Sequence, residues 1–319
     1  MMGAEGCNKP ECKPRIPMNR TPMKTRQGWM SGALAAAVVA CLNGAYAVPL
    51  PYADGFNYAE GERLGGTTSG VNWTAGNSTG TGSATIASGA SLTYPGLPSL
   101  GGLGVLSTGV PSSNRDRGVV IAPDINSLAN WSDLGALYVS YLLRVDEGPT
   151  GNPRLLSAYR DSTGGGGGFT PSGGLFVGTD LKLGVAKVAN NDIAWTADPL
   201  TSGQVYLVVW RYRYVDGADN DELALWVNPP AGSFGAAESS VPAPTVVTTT
   251  GADDVGINSF HFTVRSTGQA QYNGGGTYAL DELRVGTTWA SVVVPEPSAA
   301  ALLGLGGLAL WRLRRFRQG

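Results

Sequence analysis

The densest group of metal-binding side chains lies in the stretch Asp216–Glu222, which reads DGADNDE. Asp216, Asp219 and Asp221 supply carboxylate oxygens, the ligands that Ca²⁺ prefers in proteins. Their spacing does not match the twelve-residue EF-hand loop, and Asp, Gly and Asn also dominate tight turns. The stretch therefore has two interpretations, a calcium-binding loop and a plain hairpin turn, and the residue types favour the turn. We expect no other cofactor.

A second group of residues has the chemistry of a sugar-stacking platform. Trp210 and Tyr212 alternate with Arg211 on one predicted strand, and Trp226 lies on the next strand. Sugars dock their C–H faces on aromatic rings, as other apolar surfaces do, so Trp210, Tyr212 and Trp226 are candidate glycan contacts. The same rings would equally fill half of a sandwich core, which is the commoner fate of large aromatic residues.

Residues for acid, base or nucleophilic catalysis do not occur in a productive spacing. A glycosidase strand needs two carboxylates on one face, but Asp281 and Glu282 are adjacent and would point to opposite faces. Asp281 would share a face with Leu283, which predicts an inward acid that anchors a turn. His261 has no nucleophile pattern near it. The sequence predicts no catalytic residues and a protein that is not an enzyme.

The chain between residues 48 and 292 is predicted to form one all-β domain. Several segments alternate apolar and polar residues with period two, and Asp/Gly/Asn turns separate them. These segments include LYVSYLLRV, VYLVVWRYRYV, DELALWV, LFVGTDLKLGV, INSFHFTVRS and TYALDELRVG. The second and third form a predicted hairpin, 205–215 with 222–228, and the fourth a hairpin that turns at residues 178–180. The pattern predicts a two-sheet antiparallel sandwich.

The N-terminal 47 residues are typical of a leader with a secretory signal peptide. A positive segment follows Met23, an apolar run covers Trp29–Leu42, and Ala45 and Ala47 form a small-x-small cleavage site. We expect translation to start at Met23. An alternative is a lipoprotein signal, in which Cys41 would be lipidated and become the first residue.

Charge and cysteine content restrict the classes of function. The first 47 residues hold six Lys/Arg and two Asp/Glu, and the segment from Ser298 holds four Arg. The chain between them keeps 12 Lys/Arg and 22 Asp/Glu, a net charge of −10. An acidic body disfavours nucleic acid as a partner. All three cysteines precede residue 48, so a processed chain would have neither disulfides nor cysteine chemistry.

The last 27 residues, 293–319, combine a Pro-Glu-Pro triplet, a short apolar run and a basic end. The run of 13 residues, Ala299–Trp311, would span about 20 Å as a helix, which is short for a bilayer core of about 30 Å. The basic residues that follow would stay on the cytoplasmic side. The residues of this candidate sorting signal are Pro295, Glu296, Pro297, Arg312, Arg314 and Arg315.

This C-terminal arrangement resembles the PEP-CTERM sorting signal of Gram-negative bacteria. The resemblance implies recognition and removal of the tail by an exosortase, after cleavage by signal peptidase at the other end. An unprocessed C-terminal anchor is the alternative. Such proteins are typical of bacteria that make exopolysaccharide and biofilm. The expected location is the cell envelope, cell surface or extracellular matrix, with a transient inner-membrane anchor.

The body resembles the LamG-like jelly-roll domains of the concanavalin A-like lectin/glucanase superfamily. The residues that carry this resemblance are YADGFNYAEGERLGG, LYVSYLLRV, DELALWVNP and LDELRVGTTWASV. It implies a non-enzymatic surface or matrix protein with extracellular polysaccharide as a candidate partner. Two alternatives stay open: a glycan-active hydrolase on the same fold, and a purely structural biofilm component.

Overall fold

The computed structural model places most of the residues between 50 and 295. It describes residues 50–65, 68, 73–75, 83–108, 116–120, 135–161, 169–187, 192–253, 256–257, 259–263 and 275–295. The predicted leader and signal peptide, and the sorting signal after Pro295, lie outside the described residues. The described residues all fall within one structural unit, Gly44–Gly319.

Two antiparallel sheets form a sandwich, as the alternating sequence predicts. The eight-stranded sheet runs in the order β13 (Val246–Thr248), β12 (Glu222–Val227), β11 (Val205–Arg213), β6 (Ala136–Glu147), β15 (Thr277–Gly286), β4 (Gly104–Thr108), β3 (Ser83–Ala87), and β1 (Tyr52–Asp54) also pairs with β15. The seven-stranded sheet runs β10 (Ala194–Trp195), β9 (Leu183–Ala186), β8 (Phe169–Val177), β7 (Arg154–Asp161), β14 (Ser259–Thr263), β5 (Asp116–Val120), β2 (Trp73–Ala75). Both predicted hairpins, β11–β12 and β8–β9, are confirmed.

The inner faces of the two sheets share one hydrophobic core. Every second residue of β6 points into it, and so do the alternate residues of β11 from Tyr206 to Tyr212. On the second sheet the inward residues include Leu175, Val185 and Phe260. This alternation is the period-two pattern of the sequence, because successive strand residues point to opposite faces.

The outer face of the eight-stranded sheet is also buried, which alternation alone does not predict. Irregular chain and one short helix, α1 (Trp289–Val292), cover it and form with it a second hydrophobic cluster, which we call the outer cluster. The Trp289 indole N–H donates to the Ser233 carbonyl at 2.7 Å, and the Ser140 hydroxyl donates to the Val292 carbonyl at 2.6 Å. The central strands therefore have apolar residues on both faces.

A β-bulge in β15 changes the faces of the residues that follow it. The register with β6 shifts between Asp281 and Arg284, and Glu282 takes a positive φ of 58°. Leu283 packs in the inner core, whereas Asp281 binds the backbone of Leu92, which belongs to the outer cluster. The prediction that Asp281 shares a face with Leu283 is wrong, because the extra residue of the bulge shifts the alternation by one.

Candidate ligand-binding groove

The aromatic residues that the sequence offers as a sugar platform lie on two different faces. Trp226 pairs with Val209 across β11 and β12, so Trp226 and Trp210 point to opposite sides of the sheet. Trp210 and Tyr212 are 1% and 0% exposed in the inner core, and Trp226 is 3% exposed in the outer cluster. The prediction that the three rings form one platform is wrong. Directly paired residues of neighbouring strands share a face, and the register pairs Trp226 with Val209 and not with Trp210. In this structure all three rings pack within the protein.

The three aspartates offered as calcium ligands do not converge. Asp221 is buried, and its carboxylate accepts hydrogen bonds from the Tyr212 hydroxyl at 2.8 Å and the Val215 N–H at 2.7 Å. Burial raises the pKa of Asp221. Asp219 is exposed and has a φ of 58°, as a turn residue does. Among the described residues, Asp216 included, no three His, Cys, Asp or Glu side chains form a metal-binding group.

The turn between β11 and β12 is instead held by a buried ion pair. Lys187 is fully buried, and its ammonium group donates to Asp253 at 2.5 Å and to the Thr249 carbonyl at 3.1 Å. Asp253 also accepts from the backbone N–H groups of Asn220 and Asp221, each at 2.8 Å. Burial works to raise the pKa of Asp253, but these hydrogen bonds outweigh it and lower the pKa.

Three buried charged residues at the bulge in β15, Asp281, Glu282 and Arg284, form what we call the bulge cluster. The guanidinium group of Arg284 donates to the Glu282 carboxylate at 3.0 Å and to the Pro98 carbonyl at 2.6 Å. Burial raises the pKa of Asp281 to about 7. All three side chains are nearly inaccessible, with exposed fractions of 0%, 1% and 3%.

The bulge cluster holds residues 91–101, the anchored segment, at both ends. Asp281 accepts from the Leu92 N–H at 2.8 Å, which confirms the predicted anchoring role of this acid. Glu282 accepts from the Leu100 N–H at 2.6 Å and from the Ser99 hydroxyl at 3.0 Å. Since both ends are bonded to the strand, the residues between them have a fixed position over the outer face.

An open groove lies beside the anchored segment. It has a volume of about 360 Å³. Its residues come from the anchored segment, from the start of β11 and from the chain after β12. They are Thr93, Tyr94, Pro95, Gln204, Val205, Asn228 and Ala231. None of these residues is charged. A concave site with an aromatic ring and a few polar groups is the usual form of a small-ligand site.

Tyr94 is the aromatic wall of the groove. Its side chain is half-buried, and its ring packs on Phe234 with a centroid distance of 6.4 Å and an interplanar angle of 39°. Burial raises the pKa of Tyr94, so the phenol stays neutral. Gly96 follows with a φ of +82°, and the turn is closed by the Leu97 N–H on the Tyr94 carbonyl at 3.1 Å. A half-buried ring that packs on Phe234 and borders an open groove suits stacking of a flat apolar face.

The two amide side chains of the groove have their oxygens bonded to the protein. The Asn228 side-chain oxygen accepts from the Leu207 N–H at 2.9 Å, and Asn228 adopts a φ of 51°. The Tyr206 hydroxyl accepts from the Thr201 N–H at 2.7 Å and donates to the Gln204 side-chain oxygen at 3.3 Å. Within the described residues, neither amide nitrogen has a protein partner.

Sequence reasoning misses this groove. Its residues come from three segments that are far apart in the sequence, 93–95, 204–205 and 228–231. No segment contains a recognisable ligand-binding motif. The available signals are local ones: the Pro-Gly turn after Tyr94, and an Asn before two prolines at the end of β12. Each of them predicts a turn and no ligand.

Several predicted residues lie outside the described part of the chain. They are Ala45, Ala47, Glu296, Pro297, Arg312, Arg314 and Arg315. Pro295 is described and is exposed. His261 lies in β14 opposite Gly118 and Ser157, but its side chain is not among those described. Among the described residues, no helix is long and apolar enough to cross a bilayer.

Comparisons with known proteins show only distant structural likeness. No family model matches the chain, and no curated protein matches it. A sialidase of Trypanosoma rangeli in complex with 2,3-difluorosialic acid superimposes with a TM-score of 0.36 at 15% identity, covering 66% of this chain and 28% of that chain. A structure concerning cell entry of botulinum neurotoxin type C gives a TM-score of 0.35 at 8% identity, covering 58% of this chain and 39% of that chain. The chain thus spans well under half of either protein.

Proposed function

We propose that this protein is an exported, non-enzymatic, carbohydrate-binding protein of the cell surface or extracellular matrix. The observation that carries the proposal is the uncharged groove with one aromatic wall. Tyr94 offers a ring face for the C–H face of a sugar, and Gln204 and Asn228 offer amide N–H groups for its oxygens. Aromatic stacking combined with a few neutral hydrogen-bonding groups matches the mixed apolar and polar surface of a sugar ring.

We assign the sandwich to the LamG-like jelly rolls of the concanavalin A-like superfamily. Four sequence stretches support the assignment, and each falls on an element of the sandwich or its edge: β1 and the following loop, β6, β12, and β15 with α1. The bulged strand β15 contains the stretch LDELRVG. The groove lies at the start of β11 and the end of β12, beside the anchored segment, so strands of the sheet frame it.

The proposal that the protein has no hydrolase activity rests on where its carboxylates are. A glycosidase needs two carboxyl groups that flank the sugar bond, about 5–10 Å apart, and open to substrate. Asp281 and Glu282 are nearly inaccessible and hold backbone N–H groups of the anchored segment. None of the groove residues carries a carboxylate. A polysaccharide bound there would meet no acid and no base.

Export is proposed from the sequence at the two ends. A signal peptide that ends at Ala47 and a Pro-Glu-Pro tail with a basic end support cleavage by signal peptidase and sorting by an exosortase. The acidic charge of the body argues against nucleic acid as a partner. The intact mass of the exported protein tests this part, since it reports both cleavage sites and any lipid on Cys41.

The test of carbohydrate binding compares three variants on an array of bacterial polysaccharides. Tyr94→Ala should abolish most of the binding, and Tyr94→Phe should retain it because the ring is kept. Trp195→Ala is the matched control, since Trp195 is a half-buried aromatic residue that does not line the groove. Binding that survives Tyr94→Ala would refute the groove as the site. Absence of binding to every glycan would favour a purely structural matrix component.

A further inference from the structure

We infer that the groove selects sugar units that carry an acetyl group, on nitrogen or on oxygen. This inference rests on the proposed function and specifies its ligand. It follows from which hydrogen-bonding atoms of the groove are already used, from the apolar side chains around them and from the lack of charge.

The two amide side chains of the groove present donors, because their oxygens are already bonded within the protein. The Asn228 oxygen is bonded to the Leu207 N–H, and the Gln204 oxygen to the Tyr206 hydroxyl. Each amide therefore turns an NH₂ group, with two N–H donors, to whatever fills the groove. A ligand with acceptor oxygens that bring no donors of their own is the best complement. A carbonyl oxygen meets that condition, whereas a sugar hydroxyl also brings a proton that needs an acceptor.

The groove also offers small apolar surfaces. Pro95, Val205 and Ala231 line it together with Tyr94. Pro95 and Ala231 are exposed, and Val205 is half-buried. Covering such surface with a methyl group is favourable because it removes apolar area from water. An acetyl group has both parts, a carbonyl acceptor and a methyl group, and they are bonded to the same carbon atom. An unsubstituted hexose has only hydroxyl groups at the same positions.

Size and charge restrict the ligand further. A volume of about 360 Å³ lies near the lower end of the range of about 300–1,000 Å³ for ligand sites, which suits a short segment of a glycan. No Lys or Arg lines the groove, and the chain between residues 48 and 297 has a net charge of −10. Uronic acids and other anionic sugars would therefore be bound less well than neutral acetylated ones.

The experiment is calorimetric titration of the protein with four trisaccharides of the β-1,4 series. The N-acetylglucosamine trimer and an O-acetylated glucose trimer are the two acetylated probes. The plain glucose trimer and the glucuronate trimer are the comparisons. We expect the acetylated probes to bind at least about tenfold more tightly than the plain trimer, and the difference between N- and O-acetyl probes identifies the linkage. Equal affinity for plain and acetylated trimers, or preference for glucuronate, overturns this inference while carbohydrate binding stands. Failure of all four to bind overturns this inference, and failure on the polysaccharide array as well overturns the proposed function.

Two variants test the role of the amide N–H groups. Asn228→Asp and Gln204→Glu keep the shape and the bonded oxygen of each side chain but replace the NH₂ donors with an acceptor. We expect either change to reduce the preference for acetylated over plain trimer to about twofold or less. Asn152→Asp adds the same charge at an exposed position outside the groove and should leave the preference intact. A preference that survives both groove variants overturns the inference, and Gln204→Glu keeps the test valid if Asn228→Asp unfolds.

Discussion

The bulge cluster and the groove both involve the anchored segment, yet their polar groups are used in opposite ways. In the bulge cluster, three charged side chains are buried and bond to each other and to the segment's backbone. In the groove, residues of the same segment meet neutral amides whose nitrogens lack partners among the described residues. Charge is therefore placed where the chain must be fixed, and unpaired neutral donors where solvent or a ligand can reach them.

This contrast separates residues that build the groove from residues that we propose to contact a ligand. Buried polar groups are costly unless they are bonded, so their bonds fix the structure around them. Thr93, Tyr94 and Pro95 lie between the two points at which the bulge cluster binds the segment. The charged residues of β15 thus position the aromatic wall without lining the groove. Variants of the two regions should accordingly fail in different ways, one in stability and the other in binding.

The largest expected effect is the loss of stability on removal of the bulge cluster's cation. Arg284→Ala leaves the Glu282 carboxylate buried and unpaired, which costs about 3–5 kcal/mol of unfolding free energy. Chemical denaturation measures the loss. Arg144→Ala is the control: Arg144 pairs with Asp146 in partly exposed surroundings, and its loss should cost about 1 kcal/mol or less. Equal losses for the two variants would contradict a special role of the bulge cluster.

A comparison of two aromatic residues sharpens the distinction between scaffold and site. Trp226→Ala empties a space in the outer cluster beside Tyr138 and Trp289, at a cost of about 3–5 kcal/mol. Tyr94→Ala removes a half-buried ring and should cost less than half of that, while it abolishes glycan binding.

Thermal unfolding and a glycan-binding assay on the same preparations check this pair. Folded Trp226→Ala protein should keep the wild-type affinity, because its ring does not line the groove. A Trp226→Ala variant that folds normally and loses binding would indicate that Trp226 contacts the ligand.

The pH dependence of stability tests the burial of Asp281. Its pKa is about 7 in the folded protein and about 3.9 in an unfolded chain, so the folded state holds the extra proton between these values. The contribution of this group to the unfolding free energy therefore falls as pH rises from about 4 to about 7. Above about pH 7 the contribution stays constant. Each unit of pKa difference is worth about 1.4 kcal/mol.

Asp281→Asn removes this titration and serves as the reference. Between pH 4.5 and 7.5, wild-type protein should lose at least about 1.4 kcal/mol relative to the variant in urea denaturation. The charged neighbours of Asp281 are Glu282 and Arg284, which are present in both proteins and so cancel in the difference. A difference that does not change with pH would show that Asp281 is ionised throughout.

The smallest effect concerns the Tyr94 hydroxyl. Tyr94→Phe keeps the ring that packs on Phe234 and removes only the hydroxyl, so affinity for a glycan should change by about twofold or less. Isothermal titration resolves such a change. A loss as large as that of Tyr94→Ala would assign the binding to the hydroxyl and not to the ring face.

The sequence predicts seven of the fifteen described strands, β6, β8, β9, β11, β12, β14 and β15, because successive residues of a strand face opposite sides with period two. It does not predict β1 to β5, β7, β10 or β13. The hairpin of β11 and β12 and the inward residues of β6 follow from that pattern and from the Asp/Gly/Asn turn. The covered outer face does not follow from it. The covering chain is irregular and has no period, so its apolar residues look like those of ordinary loops.

The site is less predictable than the fold for two physical reasons. The bulge depends on Glu282 adopting a positive φ, which no residue type near it indicates, and it reverses the predicted face of Asp281. The groove depends on Tyr94, Gln204 and Asn228 meeting through tertiary packing. Trp210, Tyr212 and Trp226 are larger aromatic residues and more prominent in the sequence, yet they are packed within the sandwich.

The central claim is that the side-chain NH₂ groups of Asn228 and Gln204 contact a bound sugar. Nuclear magnetic resonance of ¹⁵N-labelled protein, titrated with the N-acetylglucosamine trimer, tests it directly. We expect these two side-chain amide signals and the Tyr94 backbone signal to shift together and to saturate at one affinity, while the Asn152 side-chain signal stays in place. Saturating shifts that cluster elsewhere on the protein and leave the groove signals unmoved would contradict the account.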